Sequence, residues 1–149
     1  MIPACSLRTT TDRHPGLANA VGLAVGQANM AKTYNRDGFE LFNNFTYVFC
    51  GDGCLMEGIT GEAASLAGHL GLGHLIVLYD DNKISIDGST ELAFTEDVPA
   101  RFRAYGWETL TVENGDSDME GLLKAVQQAQ QSTDRYENLF HSSVPVLNF

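Results

Sequence analysis

The stretch HLIVLYD (74–80) is an unbroken apolar run closed by an acid. A strand with one face in water alternates apolar and polar residues. A strand that does not alternate must be covered on both faces, which is the situation inside a parallel sheet flanked by helices. YVFC (47–50) and WETLTV (107–112) predict two further strands. Apolar residues at Leu17, Ala20, Val21, Ala24, Val25, Ala28 and Ala31 follow the three-and-four spacing of a helix face. TGEAASLAGHLGL (60–72) predicts a second helix, with Ala63, Leu66, Ala67 and Leu70 on one side. A short helix is expected near Ala100 to Tyr105, and a last one, capped by Ser117 or Asp118, runs to about Thr133. Strands alternating with helices give the fold class: α/β, a parallel sheet with helices on both faces.

The chain of 149 residues is long enough for a real core, and 44% of it is apolar. Nineteen acids against nine Lys and Arg give a formal charge of -10. With no concentrated basic patch, such a chain repels nucleic acid and anionic membrane surfaces, so neither is an expected partner. An anionic ligand then has to be held by a metal ion or by backbone N–H groups. No apolar run approaches the roughly 20 residues that span a bilayer. MIPACSLRTTTDRHPG (1–16) lacks the long apolar centre of a secretory signal, and a cytoplasmic setting is expected. Cys5, Cys50 and Cys54 are too few for a disulfide framework and read as packing residues.

In a parallel sheet, ligands sit at the carboxyl ends of the strands. Two strands here end in oxygen-bearing residues: Asp52 between Gly51 and Gly53, and Asp80, Asp81 and Asn82. A hard cation such as Mg²⁺ takes oxygen ligands, often one or two protein side chains with phosphate and water completing the octahedron. Asp52 and Asn82 can supply those side-chain oxygens. Taken singly, each motif is weak, because Gly-Asp-Gly is usually only a turn. Other readings fail outright. There is no G-x-x-x-x-G-K-[ST] phosphate loop and no third glycine of a dinucleotide fingerprint. Ile84 and Ser85 stand where a calcium loop needs an acid and a glycine.

Taken together, GDG at 51–53 and DN at 81–82, about thirty residues on, resemble the thiamine diphosphate motif. The wider text, through KISIDG (83–88) and AFTED (93–97) to GWETLTVENG (106–115), is similar to the diphosphate-binding domain of transketolases. The resemblance runs from about Gly16 to about Asp134. It implies an incomplete thiamine diphosphate-binding fold, with Mg²⁺, or Ca²⁺ in its place, bridging cofactor and protein. By resemblance Asp52 and Asn82 are metal ligands, and the carbonyl of Ile84 is a third. Gly51 and Gly53 let the backbone approach the diphosphate, and Ile86 packs on the thiazolium ring. Glu57 and Glu62 match carboxylates of a network joining two active sites across the family's dimer; the alternative is that they are exposed acids at helix ends. Phe94, Thr95, Glu96 and Asp97 match the family without an assignable role. The implied reaction moves a two-carbon ketol unit between sugar phosphates, in the pentose phosphate pathway.

The resemblance fails at both ends. Where the family has a TTGPLGQG-type loop against the cofactor, this chain reads TTTDRHPG (9–16). RYENLFHSSVPVLNF (135–149) does not resemble the strand with which the family continues. Three segments follow: a divergent 1–15, a partial domain over 16–134 and a divergent tail over 135–149. His14, His69, His74 and His141 match no catalytic histidine of the family. A truncated or misassembled product, inactive alone, is therefore expected, with a second copy or a full-length transketolase as partner. Two other readings stand beside it: a non-catalytic cofactor-binding remnant, and another thiamine diphosphate enzyme such as a deoxy-xylulose-phosphate synthase.

Overall fold

The computed structural model describes residues 6–9, 16–85, 88–132 and 144–148, the first and last of these segments as backbone only. Its main sheet has five strands, all parallel: β1 (Ser6–Thr9), β2 (Thr46–Gly51), β3 (Leu75–Asp80), β6 (Trp107–Thr111) and β7 (Val144–Asn148). Their order across the sheet is β1-β2-β3-β7-β6. A two-stranded hairpin, β4 (Ile84–Ser85) and β5 (Gly88–Ser89), stands apart from it.

The unbroken run of β3 does what its sequence demands. Leu75, Val77 and Tyr79 enter one core with Val48 and Cys50 of β2, while Ile76 and Leu78 enter a second core on the opposite face. The first face is covered by α1 (Gly16–Tyr34), α2 (Asp52–Met56), α3 (Gly58–Leu70) and α4 (Val98–Ala104). The second is covered by α5 (Met119–Gln131) through Ala125 and Ala129. Asp118 caps α5, its carboxylate accepting from Gly121 N–H at 2.8 Å, and Asp97 caps α4 on Ala100 N–H at 2.9 Å. Among the described residues no helix is long and apolar enough to cross a membrane.

Four details differ from the sequence expectation. Gly-Asp-Gly is the entry to a helix and not merely a turn, with Asp52 the first residue of α2. The buried stripe of α3 is Thr60, Ala64 and Ala67, so Leu66 and Leu70, expected in the core, are exposed. Close packing explains this choice. The small-residue side lets α3 approach the turn before β6, where Trp107 Nε1 donates to Ala64 O at 2.8 Å, and the helix then ends on Gly71 in the left-handed region (φ 61°). Larger leucines on that side would hold the helix off. Val25 of α1, also expected inside, is exposed. Finally, both terminal segments, for which the sequence offered no strand, supply one: β1 pairs with β2, and β7 lies between β3 and β6.

Candidate functional site

The register of β2 and β3 sets Gly51 beside Asp80. Asp52 and Asp81 therefore leave adjacent strands at the same height. Asp52 is 2% exposed. Its Oδ1 accepts from the Tyr79 hydroxyl at 2.5 Å, and the same hydroxyl lies 3.1 Å from Asp81 Oδ1. Burial above all, and then the bond to Asp52 and the nearby charges of Asp52 and Asp81, push the Tyr79 phenol far above its ordinary range. It stays protonated, a fixed donor. Oδ2 of Asp52 is buried and has no hydrogen-bond partner among the described residues.

The loop after β3 is held by its own side chains. Asn82 Oδ1 accepts from Ile84 N–H at 2.9 Å, and Asn82 Nδ2 donates to Asp80 Oδ2 at 3.0 Å. Burial, only partly offset by that amide, raises the Asp80 carboxyl above its usual range. Lys83, immediately after Asn82, takes positive φ (61°) and pairs with Asp81 at 2.6 Å. The Lys83 ammonium, on the lining of the site, is thus committed to Asp81. Thr90 N–H donates to Lys83 O at 3.1 Å, closing the hairpin back toward Asp52.

Asp52, Tyr79, Lys83, Thr90, Phe94 and Glu96 line a cleft of about 270 Å³. The segment of Phe94 to Asp97, without a role at the level of sequence, forms its far wall and the cap of α4. Arg101 of α4 donates to Glu96 at 2.7 Å and to Leu55 O, at the end of α2, at 3.1 Å. Thr60 Oγ1 donates to Cys54 O at 2.7 Å. The last carbonyls of α2 are thereby capped by side chains from α3 and α4, which fixes the short helix that carries Asp52.

Of the residues expected to act together, Asp52 and Asn82 lie at neighbouring strand ends, and Ile84 begins β4, exposed. Glu57 links α2 to α3, Glu62 is on α3, and both are exposed with no ion-pair partner among the described residues. Ile86, His14, His141 and the stretch 10–15 lie outside the described residues. Tyr79, Thr90 and Arg101 were not found by sequence reasoning. The signal for Tyr79 was available: it is a hydroxyl-bearing residue at the carboxyl end of a strand next to the one that carries Asp52.

A buried carboxylate oxygen without a donor is costly unless something positive meets it. Among the described residues no three His, Cys, Asp or Glu side chains form a protein-only metal site. One carboxylate, one amide and a backbone carbonyl instead fit a hard cation whose other ligands are phosphate and water. The residues present suit a cation-bridged diphosphate.

Comparison with known proteins identifies the family. Residues 6–141 match the family described as transketolase, thiamine diphosphate binding domain. The chain is 60% identical over 127 residues to transketolase 1 of Saccharomyces cerevisiae and 54% identical over 127 residues to the transketolase of Nostoc sp., covering 85% of this chain and 19% of each relative. A crystal structure of Pichia stipitis transketolase in complex with sedoheptulose 7-phosphate superposes with a TM-score of 0.83 at 48% identity, over 91% of this chain and 19% of that one. The Leishmania mexicana transketolase gives a TM-score of 0.82 at 48% identity, over 90% and 19%. The chain thus spans about a fifth of the length of these relatives. It belongs to the transketolase family, and its matched residues are those of the thiamine diphosphate-binding domain.

Proposed function

We propose that this chain holds thiamine diphosphate through a divalent cation, Mg²⁺ or Ca²⁺, within an enzyme that transfers a two-carbon ketol unit between sugar phosphates. The observation that carries the metal reading is Asp52 Oδ2, buried on the wall of the cleft and unpartnered among the described residues. Asp52 would be the carboxylate ligand, Asn82 the amide ligand and the Ile84 carbonyl the third. Gly51 and Gly53 would admit the diphosphate, and Ile86 would pack on its ring. When bound, the cofactor supplies the carbon that accepts and passes on the two-carbon unit. The chain's own work is to bind, orient and neutralise charge. Sugar phosphates as substrates are supported by the Pichia stipitis enzyme, solved in complex with sedoheptulose 7-phosphate and, as a mutant, with fructose 6-phosphate.

Calorimetric titration tests the metal reading. With a net charge of -10 and the Lys83 ammonium engaged on Asp81, thiamine diphosphate is expected to bind with Mg²⁺ present and not in EDTA. Equal affinity in the two conditions overturns the bridge.

We also propose that Glu57 and Glu62 meet a second subunit. Exposed Ile59, Leu66 and Leu70 on α3, with Leu23 and Val25 on α1, support a covered face. Analytical ultracentrifugation is expected to show a concentration-dependent dimer. A monomer throughout the micromolar range counts against it.

A further inference from the structure

We propose that Tyr79 is a positioning residue for the cation, fastening Asp52 through Oδ1 so that Oδ2 alone is presented to the metal. The inference rests on the metal reading of Asp52 given above.

Three observations carry it. Tyr79 is 1% exposed and sits on β3, whose register with β2 places it beside Cys50, two residues before Asp52. Its hydroxyl reaches Asp52 Oδ1 at 2.5 Å and Asp81 Oδ1 at 3.1 Å, and a phenol has one proton to give. Lys83 contacts both oxygens of Asp81, at 2.6 and 2.8 Å, so that carboxylate is already neutralised from the solvent side. The phenol proton is left for Asp52. Bonded at one oxygen, the Asp52 carboxylate cannot rotate freely or turn both oxygens to the cation. It is held as a single-oxygen ligand with its direction set by a side chain locked in the core.

A merely structural tyrosine would contribute packing and one hydrogen bond, and its loss would lower stability without changing the demand for metal. The experiment therefore compares wild type, Tyr79→Phe and Trp107→Phe. The last removes another buried hydrogen bond, the one to Ala64 O, away from the cleft. Each is titrated calorimetrically with thiamine diphosphate at several Mg²⁺ concentrations, and folding is checked by circular dichroism and urea unfolding. Tyr79→Phe is expected to bind about 10- to 100-fold more weakly, with half-saturation displaced to higher Mg²⁺. Trp107→Phe is expected to lose stability and keep wild-type affinity.

Wild-type affinity and Mg²⁺ dependence in Tyr79→Phe overturn the proposal, as does an equal weakening in both variants. Absence of Mg²⁺-dependent binding in the wild type is a different result, because it overturns the metal reading itself. A measurement on the wild type alone guards against a variant that does not fold. With tyrosine ¹³Cζ-labelled, one of the five tyrosine signals is expected to move when Mg²⁺ and thiamine diphosphate are added together. No movement overturns the proposal.

Discussion

Replacing Asp52 with alanine is expected to abolish Mg²⁺-dependent binding of thiamine diphosphate, a loss of at least about a hundred-fold, or roughly 2.8 kcal/mol. The change removes the only carboxylate ligand proposed, and in so acidic a chain the amide of Asn82 and a backbone carbonyl supply no formal charge to hold Mg²⁺. The fold should survive it. Among the described residues Asp52 Oδ2 makes no hydrogen bond that could be lost, and the Tyr79 hydroxyl, deprived of Oδ1, still has Asp81 at 3.1 Å. Urea unfolding without cofactor is therefore expected to change by no more than about 1 kcal/mol. Asp52→Asn keeps an acceptor for Tyr79 and removes the charge, so it separates the two functions of the side chain. Calorimetry reads all three proteins, and retained affinity in Asp52→Ala would show that the cation does not rest on this residue.

The largest effect on stability is expected at Gly68. In most helix positions Gly→Ala stabilises by up to about 1 kcal/mol, because alanine loses less backbone freedom on folding. Here the sign reverses. A Cβ at Gly68 would stand 1.9 Å from Tyr105 O, 3.0 Å from Tyr105 C and 3.3 Å from Trp107 Cδ1. The first two are backbone atoms of the turn leading into β6 and cannot swing aside. Helix α3 must move outward, stretching the Trp107 bond to Ala64 and opening the edge contact of Phe102 on Trp107, whose ring centroids are 5.2 Å apart. A loss of about 3 kcal/mol or more is expected, at the upper end of overpacking. The urea midpoint checks it, and stabilisation would mean that helix and turn lie further apart than described.

Both results depend on features of unequal legibility. β3 could be read because continuous apolarity has one common explanation, and α5 because Asp118 precedes an amphipathic run. The placement of Asp52 and Asn82 just beyond neighbouring strand ends followed from their places after strands. The buried side of α3 was misread because leucine was weighted above alanine, whereas close approach to a turn selects for small size. β1 is four residues long with three of them polar, and β7 carries Pro145, a residue that argues against a central strand; neither offers a periodic signal. Tyr79 was hidden by its own success as a core residue. Its ring satisfied the apolar pattern, and only the three-dimensional pairing showed where its hydroxyl goes.

The pairing of Gly51 with Asp80 makes the site a witness to how the sheet was assembled. Side chains on a strand alternate, so sliding β3 one residue along β2 would send Tyr79 to the face occupied by Ile76 and Leu78 and bring Leu78 or Asp80 into its place beside Asp52. No phenol would then meet the carboxylate, and Asp81 would no longer leave its strand at the same height. On the proposed metal reading, a chain that binds the cation tightly has thereby certified its own alignment, and one that folds with β3 displaced is expected to be silent in the same assay.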